Sequence, residues 1–157
     1  MHCRRVGERE HLVVLERDEK VVASLLKVAA DAGIEGGWVQ GLGSVKDVEI
    51  GYYDLPRRTY LKRHFDEDME LVGAQGNLAM HGEDRVLHLH ASISGPELLS
   101  FCGHVFEAKV AVTVEFLVRD FGVRIDRAEV SSVGLNLIQP EGGPRKHPEK
   151  KRKEPEP

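Results

Sequence analysis

Residues 85–119, RVLHLHASISGPELLSFCGHVFEAKVAVTVEFLVR, decide the fold and contain the chain's only close grouping of metal-capable side chains. The segment holds two runs rich in apolar and β-branched residues, separated by the short break SGPELLS. In the first run, apolar residues alternate with His88 and His90. Alternation with a period of two is typical of a strand, because successive side chains point to opposite faces. The segment therefore predicts two neighbouring strands, with His88 and His90 on one face of the first.

Three histidines in this segment, His88, His90 and His104, are candidate ligands of one metal ion. On a strand that rises ~3.3 Å per residue, the Cα atoms of His88 and His90 lie roughly 7 Å apart. Both imidazoles can then bind one metal at about 2.0–2.1 Å. His104 begins the second run, so a hairpin-like return of the chain would bring it beside the pair. The alternative is that the histidines are solvated or hydrogen-bonded, since a lone His-x-His motif has many false positives.

The chemistry of such a centre depends on its fourth ligand. Imidazole suits zinc, copper, iron or nickel, and three neutral histidines with one water form an open zinc site that can serve hydrolysis or hydration. A fourth protein ligand would close the site, and Cys102, two residues before His104, is the candidate, although a thiol in that place is more often a buried or loop residue. Glu107 and Glu115 are candidate partners of the ligands or a general base, unless they are simply solvated.

Composition indicates a soluble globular protein without a membrane partner. The chain has 157 residues, of which 41% are hydrophobic and 31% charged, and it lacks an apolar run near the roughly 20 residues that a membrane span needs. The N-terminus has no apolar segment typical of a signal peptide, which predicts a cytoplasmic location. The two cysteines, Cys3 and Cys102, are then expected to be free thiols.

The C-terminal segment differs from the rest. Residues 141–157 carry six basic and four acidic residues and no large apolar one, so we expect residues 1–140 to form a single domain and 141–157 a mobile, charged, proline-rich tail. The chain's net charge of −4 leaves −6 on residues 1–140. A DNA partner would therefore need a local basic patch or the KKRK run of the tail, which can equally be a solubilising tail.

The pattern elsewhere predicts an α+β fold, with one main helix and a largely antiparallel sheet of about seven strands. A strand is predicted at residues 10–16. Apolar spacing of three and four predicts a helix from Val21, with Asp18 as N-cap, Glu19 in the first turn and Gly33 as the terminating residue. Glycines between residues 36 and 43 favour a bent or bulged strand, and residues 44–47 a turn before the next strand.

Four stretches in this order resemble the plants-and-prokaryotes-conserved (PPC) domain of the stand-alone prokaryotic type. They are GLGSVKDVEIGYYD, MELVGAQGNLAM, LHLHASIS and CGHVFEAKVAVTVEFLV, and the resemblance covers residues 8–139. It implies a compact α+β fold, a homotrimer, and metal ligands at His88, His90 and His104. Cys102-Gly103-His104 replaces the usual Gly-Gly-His, and the Gly-Arg-Phe-Glu-Ile-Leu stretch of plant members is reduced to residues 69–71.

These observations predict a metal-binding PPC-domain protein, with zinc as the expected divalent transition metal. We expect it to be homotrimeric and to act in DNA-associated or regulatory complexes. The alternative is a metal-dependent enzyme that uses an open water position on a three-histidine centre to act on a small molecule.

Overall fold

The structure, a computed structural model, describes residues 1–139. One helix and nine strands follow each other along the chain: β1 (His2–Arg5), β2 (Glu10–Glu16), α1 (Val21–Asp31), β3 (Gly37–Asp54), β4 (Thr59–Phe65), β5 (Met69–His81), β6 (Asp84–Ser94), β7 (Ser100–Asp120), β8 (Asp126–Val130) and β9 (Leu135–Gln139). In this part of the chain, every named strand pair is antiparallel except the parallel contact between β5 and β8. The predicted α+β class is confirmed.

The sheet has nine strands where the sequence indicated about seven. β1 was not predicted, because all four of its residues are exposed and polar and show no apolar alternation. It is held instead by pairing with β2, from His2 opposite Val14 to Arg5 opposite His11. β2 itself has the predicted bounds.

Four strands of the sheet pair with one another in a closed cycle. β3 pairs with β5, β5 with β6, β6 with β7, and β7 again with β3. The long strands β3 and β7 make this closure feasible because both carry irregularities in their pairing, including a register shift between Gly41 and Gly43. The predicted bulge in the glycine-rich stretch is therefore confirmed, since bulges bend and twist a strand.

The turn predicted at residues 44–47 is wrong. β3 continues through these residues, and its pairing with β7 is irregular between Lys46 and Glu49. Asp47 has a positive φ of 52°, so the local break that suggested a turn is a bulge within a continuous strand.

The helix α1 begins at the predicted Val21, but Asp18 is not its N-cap. Lys20 holds the N-cap position without a side-chain hydrogen bond, and the first turn contains no acidic residue, so Glu19 also lies before the helix. The amides of Val22 and Ala23 donate instead to the carboxylate of Glu107 in β7, at 2.8 and 3.3 Å. The predicted end is confirmed, since Gly33 follows the helix with a φ of 67°.

The core lies between α1 and one face of the sheet. The helix buries one stripe, Val21, Leu25, Val28 and Ala29, as its spacing predicted. The largest fully buried side chains come from the helix, the loop after it and five of the strands: Phe116, Leu15, Leu25, Ile34, Leu78, Met80, Leu89, Ile93, Val13, Val21, Val39 and Val45. On the same strands, the side chains that alternate with these buried residues therefore project from the outer face of the sheet, where the candidate site lies.

No helix within residues 1–139 combines the length and the hydrophobicity needed to cross a lipid bilayer. Both cysteines are free thiols, as predicted. The tail predicted at residues 141–157 lies outside the described residues.

Candidate metal centre

Strand β6 places two histidines on the outer face, as the alternation predicted. Leu87 and Leu89 are buried in the core, whereas His88 is half-buried and His90 is exposed. The apolar residues fix the face that β6 turns inward, because a slip of one residue would expose them and bury the histidines. The outward direction of His88 and His90 is therefore a consequence of the hydrophobic pattern.

Strand β7 supplies the third histidine. β6 and β7 pair antiparallel with His104 directly opposite His90. The other edge of β7 pairs with β3 at this level, with His104 opposite Gly51. Gly103 lies so close to β3 that an added Cβ would be 2.8 Å from the carbonyl oxygen of Gly51, so glycine at this position allows the two strands to pair beside the site.

The three imidazoles converge on one region of space. Ring centroids are 4.9 Å apart for His88 and His90, 5.2 Å for His88 and His104, and 5.6 Å for His90 and His104. One ring nitrogen from each histidine lies within 4.8 Å of the other two. Rings bound to one tetrahedral zinc at about 2.0–2.1 Å have centres roughly 5 Å apart. The observed spacing fits a shared ion.

The protonation state of His88 and His104 also suits a metal. Burial is the main cause that lowers the pKa of both His88 and His104 to about 4, and neighbouring positive groups add to it. Both imidazoles are therefore neutral near pH 7, as metal ligands must be. Nδ1 of His104 is buried without a hydrogen-bond partner. A buried polar atom without a partner is uncommon, and a metal would satisfy it.

Aromatic residues hold His104 in place. The ring of Tyr60 in β4 lies 5.2 Å from the imidazole at a tilt of 32°, and Phe106 in β7 meets it edge-on at 5.0 Å. Tyr60 and Phe106 also contact each other, with centroids 5.0 Å apart. Packing of this kind restricts the rotation of the imidazole, which preorganises a ligand for its ion.

The residues considered as further participants have other contacts. Sγ of Cys102 lies 3.0 Å from the hydroxyl of Ser92, and Cys102 does not belong to the group of converging donors. Glu107 is engaged by the amides at the start of α1 and so turns away from the centre. Glu115 lines an open trough of about 660 Å³ on the outer face, which His90 also borders.

Sequence reasoning missed Arg127. This residue of β8 is half-buried, and its Nη2 donates to the side chain of Asn77 at 2.7 Å. Asn77 is the cross-strand partner of His88, so the guanidinium lies beside the cluster. Nothing in the local pattern of β8 signals this position, because it depends on the packing of β8 against β5.

A second group of potential ligands lies at Asp47, His64 and Asp66, so the expectation that residues 85–119 hold the only such grouping is wrong. Nε2 of His64 is 3.0 Å from Asp47 and 2.8 Å from Asp66. The other oxygen of Asp47 binds the ammonium of Lys109 at 2.6 Å. Because a lysine already neutralises this carboxylate, we interpret the group as a network of surface ion pairs.

Comparison with known proteins agrees with the fold. The family model of the Plants and Prokaryotes Conserved (PCC) domain, the PPC domain named above, matches residues 4–122. The chain belongs to this family. None of the curated protein sequences matches it significantly.

Several solved structures share the fold. A protein from Bacteroides thetaiotaomicron, described as a "putative dna binding protein", has a TM-score of 0.85 and 25% identity, over 88% of this chain and 96% of that one. A PPC protein from Pyrococcus horikoshii has a TM-score of 0.77 and 25% identity, over 88% and 93%. A metal-containing protein from Archaeoglobus fulgidus has a TM-score of 0.78 and 27% identity, over 86% and 95%.

Proposed function

We propose that this PPC-domain protein binds a divalent transition metal, zinc, through His88, His90 and His104. The observation that carries the proposal is the convergence of three imidazoles from two paired strands, with ring centroids 4.9–5.6 Å apart. The similar protein from Archaeoglobus fulgidus is described as metal-containing. When bound, zinc would supply a Lewis acid and a positive charge at the outer face of the sheet, while the three histidines would orient it.

The test is elemental analysis of the purified protein and of a His88→Ala/His90→Ala variant. We expect about one zinc per chain in the wild type and almost none in the variant, because a single imidazole cannot hold the ion. His81→Ala is the matched control, since His81 is exposed at the end of β5 and outside both groups of potential ligands. Absence of stoichiometric metal from the wild type contradicts the proposal.

We further propose that three copies associate through the trough on the outer face, the surface lined by β2, β3, β5, β6 and β7. Leu12, Leu42 and Val72 line this trough with 40%, 57% and 60% of their surface exposed. Large apolar side chains grouped on one face of a sheet are typical of a protein interface. His90 borders the trough, so assembly would shield the metal centre from solvent.

Native mass spectrometry and sedimentation test the assembly. We expect a trimer for the wild type and a smaller species for Val72→Asp, which places a charge in the trough. Leu55→Asp is the control, because Leu55 is 51% exposed and does not line the trough. A monomeric wild type, or a trimer that tolerates Val72→Asp, contradicts this interface.

A DNA-associated or regulatory role is the third part of the proposal. The Bacteroides protein of the same fold is described in terms of DNA binding, and the basic residues of the tail would supply the attraction that the acidic body lacks. Deletion of residues 141–157 should weaken DNA binding and flatten its dependence on salt, measured by fluorescence anisotropy. Failure of the full chain to bind DNA at low salt contradicts this role. The cytoplasmic location stays a prediction from the sequence.

The alternative, a metal-dependent enzyme, is favoured by one observation. Among the described residues, the converging donors are three histidines, and Cys102 does not complete the set. Three protein ligands leave a zinc position open for water or substrate. The test is hydrolysis of an activated ester by the zinc-loaded protein. Hydrolysis by the wild type but not by His88→Ala/His90→Ala would support an enzyme, and equal rates in the two proteins would count against it.

A further inference from the structure

Arg127 is a positive charge in an unusual place. Its side chain is half-buried in β8, where Nη1 donates to the carbonyl of Asn136 at 2.8 Å and Nη2 to the side chain of Asn77 at 2.7 Å. Both acceptors are neutral. Within residues 1–139, no carboxylate lies within 4.0 Å of this guanidinium, whereas such pairs are formed by Lys46, Lys62, Lys109, Arg119 and Arg124.

The donors of Arg127 are also incompletely used. Arginine has five N–H donors, and two of them are engaged here. Nε is buried and has no hydrogen-bond partner. Buried charges in proteins are normally paired, because removal from water is costly. The described part of the chain does not supply an anion that pairs with this guanidinium.

The guanidinium lies beside the metal centre. Asn77, which accepts from Arg127, is the cross-strand partner of His88. The charge of Arg127 contributes to the lowered pKa of His88 and of His104, after burial in each case. It also acts on the hydroxyl of Tyr60, whose pKa is raised mainly by burial. Because the ring of Tyr60 lies 5.2 Å from that of His104, Arg127 and Tyr60 both lie beside the histidine cluster.

A permanent positive charge at this position opposes the binding of a divalent cation by the three histidines. A ligand set without a carboxylate leaves the full charge of the ion in place, and the guanidinium adds to it in a partly desolvated site. A negatively charged ligand would remove this conflict. It would interact favourably with the ion and would accept hydrogen bonds from the unused donors.

We propose that Arg127 and Tyr60 form an anion subsite that binds a small carboxylate ligand between the guanidinium and the metal centre. The planar guanidinium donates to the carboxylate, and the hydroxyl of Tyr60 donates a further hydrogen bond. The subsite rests on the proposed metal site, and it makes a small organic acid the ligand class of that centre.

The test loads the full-length protein with cobalt(II), whose visible spectrum reports on its ligands, and titrates sodium acetate. In the wild type we expect a saturable spectral change. In Arg127→Gln, the stoichiometry of cobalt should be unchanged, while acetate binds about tenfold more weakly or worse, because a charge-assisted hydrogen bond is lost. In the absence of acetate, Arg127→Gln should bind cobalt as tightly as the wild type or more tightly. A merely structural role of Arg127 does not predict this result.

Arg124→Gln is the matched control. It removes the same charge from the same part of the chain, but Arg124 is exposed and pairs with Asp126 at 2.8 Å, so acetate affinity should stay at the wild-type value. Tyr60→Phe keeps the ring against His104 and should weaken acetate binding several-fold, which covers the case in which Arg127→Gln does not fold.

The outcomes separate the two proposals. A wild-type protein that takes up no cobalt overturns the metal centre and the subsite together. A cobalt-loaded wild type whose spectrum ignores acetate overturns the subsite alone. Equal acetate affinity in the wild type and Tyr60→Phe, together with equal affinity in any folded Arg127→Gln, shows that these residues do not form it.

Discussion

Gly103 controls how closely two strands approach beside the metal centre. A Cβ at this position would lie 2.8 Å from the carbonyl oxygen and 3.3 Å from the amide nitrogen of Gly51. Both are backbone atoms of β3, so they cannot move aside as the end of a flexible side chain can. The position of His104 therefore depends on the absence of a side chain at its neighbour.

We expect Gly103→Ala to destabilise the fold by about 1–3 kcal/mol, because overpacking forces the backbone to shift. It should also weaken zinc binding, since the shift moves His104. Urea unfolding and zinc titration measure the two effects. Gly73→Ala is the control, as an added Cβ there meets nothing within 4 Å, and equal losses in the two variants would contradict the argument.

At the scale of elements, the helix α1 and the strand β7 are joined by one carboxylate. Glu107 accepts from the amides of Val22 and Ala23 at the start of the helix, where the helix dipole also favours a negative charge. Glu107, which is 85 positions from Val22 in the sequence, thus caps the N-terminus of the helix. This contact fixes the start of α1 on the strand that carries His104.

Glu107→Ala should therefore lower the free energy of unfolding by about 0.5–2 kcal/mol, the usual cost of a lost cap. Zinc binding should persist, because the carboxylate does not belong to the converging donors. Urea denaturation followed by circular dichroism measures the loss. Glu70→Ala, at an exposed position of β5, should have little effect, and an equally small effect of Glu107→Ala would contradict the capping role.

For the whole molecule, a metal on His88, His90 and His104 would connect two strands of the closed cycle. An ion that binds only the folded state stabilises it by an amount set by its concentration and affinity, about 2.7 kcal/mol at a hundredfold excess over Kd. Removal of the metal would abolish this stabilisation of the folded state without any change in the contacts between protein residues.

We expect a chelator to lower the melting temperature of the wild type and excess zinc to restore it, as measured by calorimetry. The His88→Ala/His90→Ala variant should melt at one temperature with or without chelator. A melting temperature that a chelator lowers equally in the wild type and in this variant would argue against metal at these histidines.

Local sequence patterns determined a large part of this protein. The period of two in β6 placed His88 and His90 on the outer face, because burying Leu87 and Leu89 requires it. The spacing of apolar residues placed α1 and its buried stripe, and Gly33 marked its end. The resemblance of four stretches to the PPC domain predicted the family, and it implied the same three histidines that the strand pattern had already made candidates.

Only the tertiary structure decided which residues meet. The hairpin-like return that brings His104 beside His90 was predicted, but the cap that Glu107 places on α1 and the position of Arg127 beside His88 join segments that are distant in the chain. Local periodicity encodes which face of a strand is buried, but it does not encode the partner of that strand or the register between them. The charge of the candidate centre, and hence the anion proposed for it, arises from those long-range pairings.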